Sequence, residues 1–171
     1  KHNLKIIEDC AQAHGCLYKG RLVGTMGDIG VFSLNVNKTI QTGEGGICVT
    51  NNDDLSYRLK LIRNHGEAVV GPAGYQKITN VAGYNYRMTE IIAAVGSVQL
   101  KKLKNLNKER IKMVQWLSKR INSYHFLQTL INRPECENCS CLKNLKCKPT
   151  YYILPIRFLS EKTNVSRNEF I

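Results

Sequence analysis

An α/β fold with a mostly parallel sheet is predicted by three features of this 171-residue chain. Short β-type runs alternate with amphipathic helical stretches, as a sheet with helical crossovers requires. Two such runs, Ile29 to Phe32 and Ile47 to Val49, flank a polar connection holding Gly43, Gly45 and Gly46. A hydrophobic fraction of 43% suffices for a globular core and excludes wholesale disorder.

Taken in order, Lys1-His2-Asn3 reads as the close of a helix with Asn3 as a left-handed cap. Leu4 to Ile7 is a short buried strand ending in Glu8-Asp9. The small-residue stretch Cys10 to Gly15 lies at its carboxyl end, and Tyr18-Lys19-Gly20-Arg21 is a turn between two short strands. After the central stretch, Asn52-Asp53 caps a helix to about Asn64, with Leu55, Leu59 and Ile62 on one face. His65-Gly66 ends it, and residues 67 to 83 form a loop. Thr89 caps a helix running through Ile91, Ile92, Val95, Val98 and Gln99 to Leu103. A second helix, Leu106 to Tyr124, turns Ile111, Val114, Leu117 and Ile121 inward and keeps a basic outer face. Residues 134 to 149 show little regular character, and Tyr151 to Phe158 is again a strand. Ser166 to Glu169 is a capping box whose helix stops after one turn. Both ends therefore read as cut, and the chain as an internal fragment.

Lys and Arg outnumber Asp and Glu by 25 to 13, a net charge of +12, which raises nucleic acid as a partner. The bases are spread, mostly from Lys101 to Lys148, without the interleaved aromatics of a stacking platform, so nucleic acid is disfavoured. No apolar run approaches the roughly 18 residues of a membrane span and no signal peptide opens the chain, so a cytoplasmic setting without a membrane partner is expected. Cys10, Cys16 and Cys48 are expected to pack as small apolar residues. Cys136, Cys139, Cys141 and Cys147 fall within 12 residues, and four thiolates can enclose a Zn²⁺. Their spacing is not that of paired Cys-x2-Cys knuckles, so they stay zinc candidates beside reduced thiols and disulfides, and no metal site is assigned.

The chemistry is expected around Lys38. Flanking strands place Ser33 and Lys38 at strand ends, where α/β sheets bind ligands. A lysine there is a candidate Schiff-base nucleophile, since imine formation needs the neutral amine that burial and nearby cations favour. Asp9 ends an earlier strand that can converge on the same crevice. A carboxylate and a lysine so placed suit pyridoxal phosphate (PLP), with Asp9 on the pyridine nitrogen, Lys38 on the aldehyde and Ser33 on the phosphate.

Five motifs then carry a family resemblance. They are Glu8 to Gly15 (EDCAQAHG), Gly27 to Ser33 (GDIGVFS), Lys38 with Gly43 to Gly46, Arg63 to Gly66 (RNHG) and Gly83 to Glu90 (GYNYRMTE). In this order they resemble the DegT/StrS family of PLP-dependent nucleotide-sugar aminotransferases, from Leu4 to about Tyr124 and more weakly from Tyr151 on. The resemblance implies a fold-type I transferase, with helices on both faces of its mostly parallel sheet and a smaller α/β C-terminal domain. Residues 1–104 would be the C-terminal part of its large PLP-binding domain. Residues 105–171 would be a connecting helix, the Cys-rich insertion 134–149 and the start of a small C-terminal domain.

It also implies a homodimer with shared sites. Asp9 would hold the pyridine nitrogen, Gln12 would lie near the ring and its 3′ oxygen, and Ser33 would bind the phosphate. Lys38 would join the cofactor and shuttle its proton, and Asn85 would reach the other subunit's phosphate. Arg87 is the substrate-binding candidate, with pairing to Glu90 as the plainer reading. Gln12 bonded to backbone, Asn85 serving its own turn, and His14 and His65 as core or turn residues are plainer readings too. Some relatives carry histidine in place of the lysine and dehydrate; Lys38 favours transamination. Further phosphate donors and the aromatic that stacks on the cofactor would precede residue 1, so this stretch alone is expected to be inactive.

The expected function is transfer of an amino group from an amino acid, expected to be glutamate, to a nucleoside-diphosphate keto-deoxysugar for amino-sugar and polysaccharide biosynthesis. The alternative is a catalytically inactive family member acting as a zinc- or nucleic-acid-binding regulatory module.

Overall fold

The computed structural model describes residues 2–67, 81–131 and 147–171. Five strands open the chain: β1 (Ile7–Asp9), the hairpin β2 (Leu17–Tyr18) and β3 (Arg21–Leu22), then β4 (Ile29–Ser33) and β5 (Gly46–Val49). The main sheet has the order β1-β4-β5. β1 lies parallel to β4 with Asp9 opposite Val31, and β5 is antiparallel to β4 with Ser33 opposite Gly46. The α/β class is as expected. This part of the sheet is mixed because the Gly-rich connection returns directly from β4 to β5, whereas a parallel neighbour needs a crossover. The expected turn at Lys19-Gly20 forms, with φ of 50° and 81°, the positive pair that a two-residue hairpin favours.

The loop after the hairpin is drawn onto β1 by one side chain. The Glu8 carboxylate accepts hydrogen bonds from the backbone N–H groups of Gly24 (2.8 Å), Met26 (2.6 Å) and Gly27 (2.6 Å). Gly24 packs directly on Gly30 of β4, where a Cβ on Gly30 would strike the Gly24 backbone. The strand expected from Leu4 starts only at Ile7, and it is not buried: Leu4, Ile6 and Ile7 are 78%, 60% and 65% exposed. β1 is the sheet edge among the described residues, so nothing there covers them. Asn3 does take the left-handed conformation, φ 48°. Cys10 is fully buried and Cys16 half-buried, but Cys48 is exposed on the other edge strand, β5, contrary to expectation.

Helix α1 (Asp53–Arg63) starts as predicted, with Asn52 Oδ1 accepting from the Leu55 N–H at 2.9 Å. His65 and Gly66 leave it with positive φ. Its buried residue is Leu61; Leu55 and Leu59 are half-buried and Ile62 is exposed. Leu55 and Leu59 thus lie on the covered side as expected, and the difference is confined to the last turn, where Leu61 rather than Ile62 is covered.

Two expected helices are one. Helix α2 (Glu90–Ile121) runs unbroken for 32 residues, about 48 Å at 1.5 Å per residue. The Thr89 side chain caps it by accepting from Ile92 N–H. Lys104 and Asn105 supply neither the glycine nor the proline that would end it. The boundary between residues 104 and 105 falls inside this helix. Val114 is buried and Ile111, Leu117 and Ile121 half-buried, as expected, while Ile91, Val95 and Val98 near its start are exposed.

The chain closes with β6 (Leu127–Thr129) antiparallel to β7 (Ile156–Phe158), a single 3-10 turn at Ser160–Lys162, and α3 (Arg167–Phe170). The capping box of Ser166 and Glu169 forms in both directions. The rings of Phe126, Phe158 and Phe170 pack together at 4.9–6.0 Å. The strand expected from Tyr151 shrinks to β7, because Tyr151 has a φ of 51° and Pro155 has no N–H for a ladder.

A strap, Cys147 to Thr150, crosses back to the hairpin. Leu17 and Lys148 exchange two backbone hydrogen bonds, at 3.0 and 2.9 Å. The Lys19 N–H donates to Cys147 Sγ at 3.3 Å, and Cys16 Sγ lies 3.1 Å from the Oγ1 of buried Thr150. Cys136, Cys139 and Cys141 lie outside the described residues.

Candidate functional site

The parallel pairing of β1 and β4 brings two of the expected groups to one edge of the sheet. Asp9 is the last residue of β1 and Ser33 the last of β4, two positions beyond Asp9's opposite number, Val31. Pairing continues one residue past β1, with Cys10 N–H donating to the Val31 carbonyl at 2.8 Å. The chain then turns away through Ala13 N–H to the Cys10 carbonyl and Cys16 N–H to the Ala13 carbonyl. Asp9 Oδ1 accepts from Ala11 N–H at 3.1 Å, fixing the start of that turn. Gln12 rides on it, exposed.

Lys38 sits in a loop that bonds to itself. Ser33 Oγ accepts from Asn35 N–H at 3.3 Å, the Asn35 carbonyl accepts from Lys38 N–H at 2.9 Å, and Asn35 Nδ2 donates to Glu44 at 2.9 Å. Leu34, Thr39 and Ile40 are buried beneath it. Lys38 itself is half-buried, and its Nζ stands 4.9 Å from the ring centroid of Tyr152. Nothing in the sequence around Lys38 points to that ring, since the two residues meet only through the strap.

One face of α2 buttresses both loops. Gly96 faces Thr42, Leu103 faces Gly15, Asn107 Nδ2 donates to the His14 carbonyl at 2.9 Å, and Arg110 Nη1 donates to Thr39 Oγ1 at 2.7 Å. Asn107 and Arg110 went unnoticed in the sequence. Their signal is a polar residue on the stripe that Leu103 and Val114 mark as inward.

His14 is buried, its ring 5.6 Å from that of Phe32. Burial does most to push its imidazole below the ordinary value; the Ser33 backbone opposes, and the charges of Lys38 and Arg110 add to the shift. Its plainer reading as a core histidine holds. Burial likewise pushes the Cys10 thiol up, with the Glu8 and Asp9 carboxylates adding to it, so Cys10 packs as an inert small side chain.

Asn85 and Arg87 lie elsewhere. The segment Tyr84 to Tyr86 runs antiparallel to the end of α1, with Asn85 bridged to Asn64. Tyr86 N–H donates to the Arg63 carbonyl at 3.0 Å. Both side chains are exposed, and Arg87 Nε donates to Asn85 Oδ1 at 3.1 Å. Among the described residues Arg87 makes no ion pair with Glu90, and neither Asn85 nor Arg87 is hydrogen-bonded to Asp9, Gln12, Ser33 or Lys38. Exposed His65 occupies the turn, with a φ of 58°. No group of three or more metal-ligating side chains occurs among the described residues. An open groove of about 360 Å³ beside β6, lined by Asn122, His125, Gln128 and Lys162 among others, does not include Asp9, Ser33 or Lys38.

A family model described as the DegT/DnrJ/EryC1/StrS aminotransferase family matches residues 1–162. The chain is 46% identical over 121 residues to GDP-perosamine synthase of Escherichia coli O157:H7, covering 71% of this chain and 32% of that protein. It is 36% identical over 130 residues to UDP-4-amino-4,6-dideoxy-N-acetyl-beta-L-altrosamine transaminase of Campylobacter jejuni, covering 76% and 34%. The aminotransferase from Psychrobacter cryohalolentis has a similar fold, with a TM-score of 0.81 at 32% identity over 99% of this chain and 45% of its own. The chain thus spans about a third of these curated relatives.

Proposed function

The chain belongs to the DegT/DnrJ/EryC1/StrS aminotransferase family, and from that we propose that the full protein is a PLP-dependent sugar-nucleotide aminotransferase. It moves an amino group from an amino acid, glutamate in our reading, to a keto-deoxysugar carried on a nucleoside diphosphate. The observation that supports this most is the meeting of Asp9 and Ser33 at the carboxyl ends of parallel neighbours, with Lys38 on the loop that follows.

The donor set fits PLP. A carboxylate suits a pyridinium N–H, an amide suits the phenolic oxygen, a hydroxyl suits the phosphate and a primary amine suits the aldehyde. When bound, PLP supplies the aldehyde and a ring that accepts an electron pair. The chain's own residues do the rest. Asp9, anchored by Ala11 N–H, would hold a proton on the pyridine nitrogen. Gln12 would orient the ring through its oxygen, Ser33 would bind the phosphate, and Lys38 would be the amine for the aldehyde and the group that takes and returns a proton. Asn85, free of those contacts and exposed, serves the site of a second copy in a homodimer. Arg87 then stands beside it for an anionic part of the substrate.

Incubation of the full-length protein with PLP, borohydride reduction and peptide mass spectrometry test this. A pyridoxyl group on Lys38, and its absence with loss of turnover in Lys38→Ala, is expected. A folded protein with no adduct at Lys38 overturns the reading.

A further inference from the structure

We propose that Tyr152 is a positioning residue for Lys38, seating its side chain on the aromatic face until a carbonyl compound arrives. This rests on the reading of Lys38 as the reactive amine. The Lys38 Nζ lies 4.9 Å from the Tyr152 ring centroid, within the range in which the ring quadrupole attracts a cation. Both residues are half-buried, so the contact is partly withdrawn from water.

Tyr152 is not placed by its own strand, which starts only at Ile156. It is delivered by the strap, which is held at Leu17, Lys19 and Cys16 by two backbone hydrogen bonds and two sulfur contacts. Thr150 is buried at the strap's end, and Tyr151, with a φ of 51°, redirects the chain immediately before Tyr152. The ring is therefore fixed from outside the Lys38 loop, and the loop is fixed by α2 through Thr39. Two independent supports hold the pair.

The chemical consequence has a definite sign. Attack on a carbonyl carbon uses the nitrogen lone pair: the C–N bond forms, and the carbonyl oxygen leaves as water with two protons from the nitrogen. An aromatic face attracts the ammonium more than the amine, so Nζ must leave the ring before it reacts. Tyr152 thus withholds Lys38 from stray aldehydes.

The test uses full-length protein without added PLP, treated with ¹³C-formaldehyde and cyanoborohydride. Methylation of Lys38 is followed by peptide mass spectrometry against exposed Lys60 as internal reference. Tyr152→Leu should be methylated at Lys38 about fivefold faster than wild type, equivalent to ~1 kcal/mol. Tyr152→Phe, which keeps the face, should stay within about twofold of wild type. By NMR the dimethyl-Lys38 signal should be displaced by ring current in wild type and Tyr152→Phe and lose that displacement in Tyr152→Leu. Should Tyr152→Leu not fold, Tyr152→Met keeps the bulk without the face and is read the same way. Equal or slower methylation in a folded variant lacking the ring overturns the proposal. Absence of a PLP adduct on Lys38 would overturn the function above and leave this measurement intact.

Discussion

Glu8 shows how one side chain can organise a loop. Three backbone N–H groups converge on its carboxylate. The bond from Gly27 does most to hold it below its ordinary value of 4.5, against the opposing effect of burial, while Gly24, Met26 and the charge of Arg21 add to the lowering. A carboxyl lowered on folding contributes stability that is complete above 4.5 and is lost as pH falls through the folded value. Glu8→Gln should therefore cost about 1–3 kcal/mol at pH 7, and its gap from wild type in urea unfolding should narrow below pH 4.5. A gap independent of pH would assign the loss to shape alone. The sequence shows Glu8 inside a motif but gives it no partner, because its partners are backbone groups 16 to 19 residues away. The positions of Asp9 and Ser33 are legible for the opposite reason. Their placement follows from strand ends, which periodicity locates.

At the scale of elements, caps are legible in the sequence and lengths are not. Asn52, Thr89 and the box of Ser166 and Glu169 all act where their side chains predict, since a cap is a local bond. The apolar pattern of α2 shifts near Leu103 to Leu106 and so suggests two helices, yet the backbone has no cause to break there. Lys104→Pro tests the continuity. In the middle of one helix it should cost ~3 kcal/mol or more, seen as a lower unfolding midpoint; a connection between two helices would accept it with little change. Ile62 at the end of α1, like Leu4, Ile6 and Ile7, is exposed for a tertiary reason. Periodicity says which residues share a face, but neighbours decide whether that face is covered.

Across the whole molecule, α2 ties the loops at the sheet's carboxyl edge to one rigid support. Buried Asn107 carries the tie to the 10–15 turn through the His14 carbonyl. Asn107→Ala should remove that bond and cost about 1–3 kcal/mol, with faster hydrogen exchange at the amides of Ala13 and Cys16. Unchanged exchange there would show that the turn stands without the helix. No single stretch of sequence displays such ties, because Asn107 and His14 stand 93 positions apart.

The strap carries the longest of these separations, with Cys16 and Thr150 134 positions apart. A ribosome adding about 5–20 residues per second needs on the order of ten seconds to cover that distance. Through that interval the hairpin and the Lys38 loop are already in solution while the strap that seats Tyr152 is still unmade. The neighbourhood of Lys38 is thus completed only after the sheet that presents it.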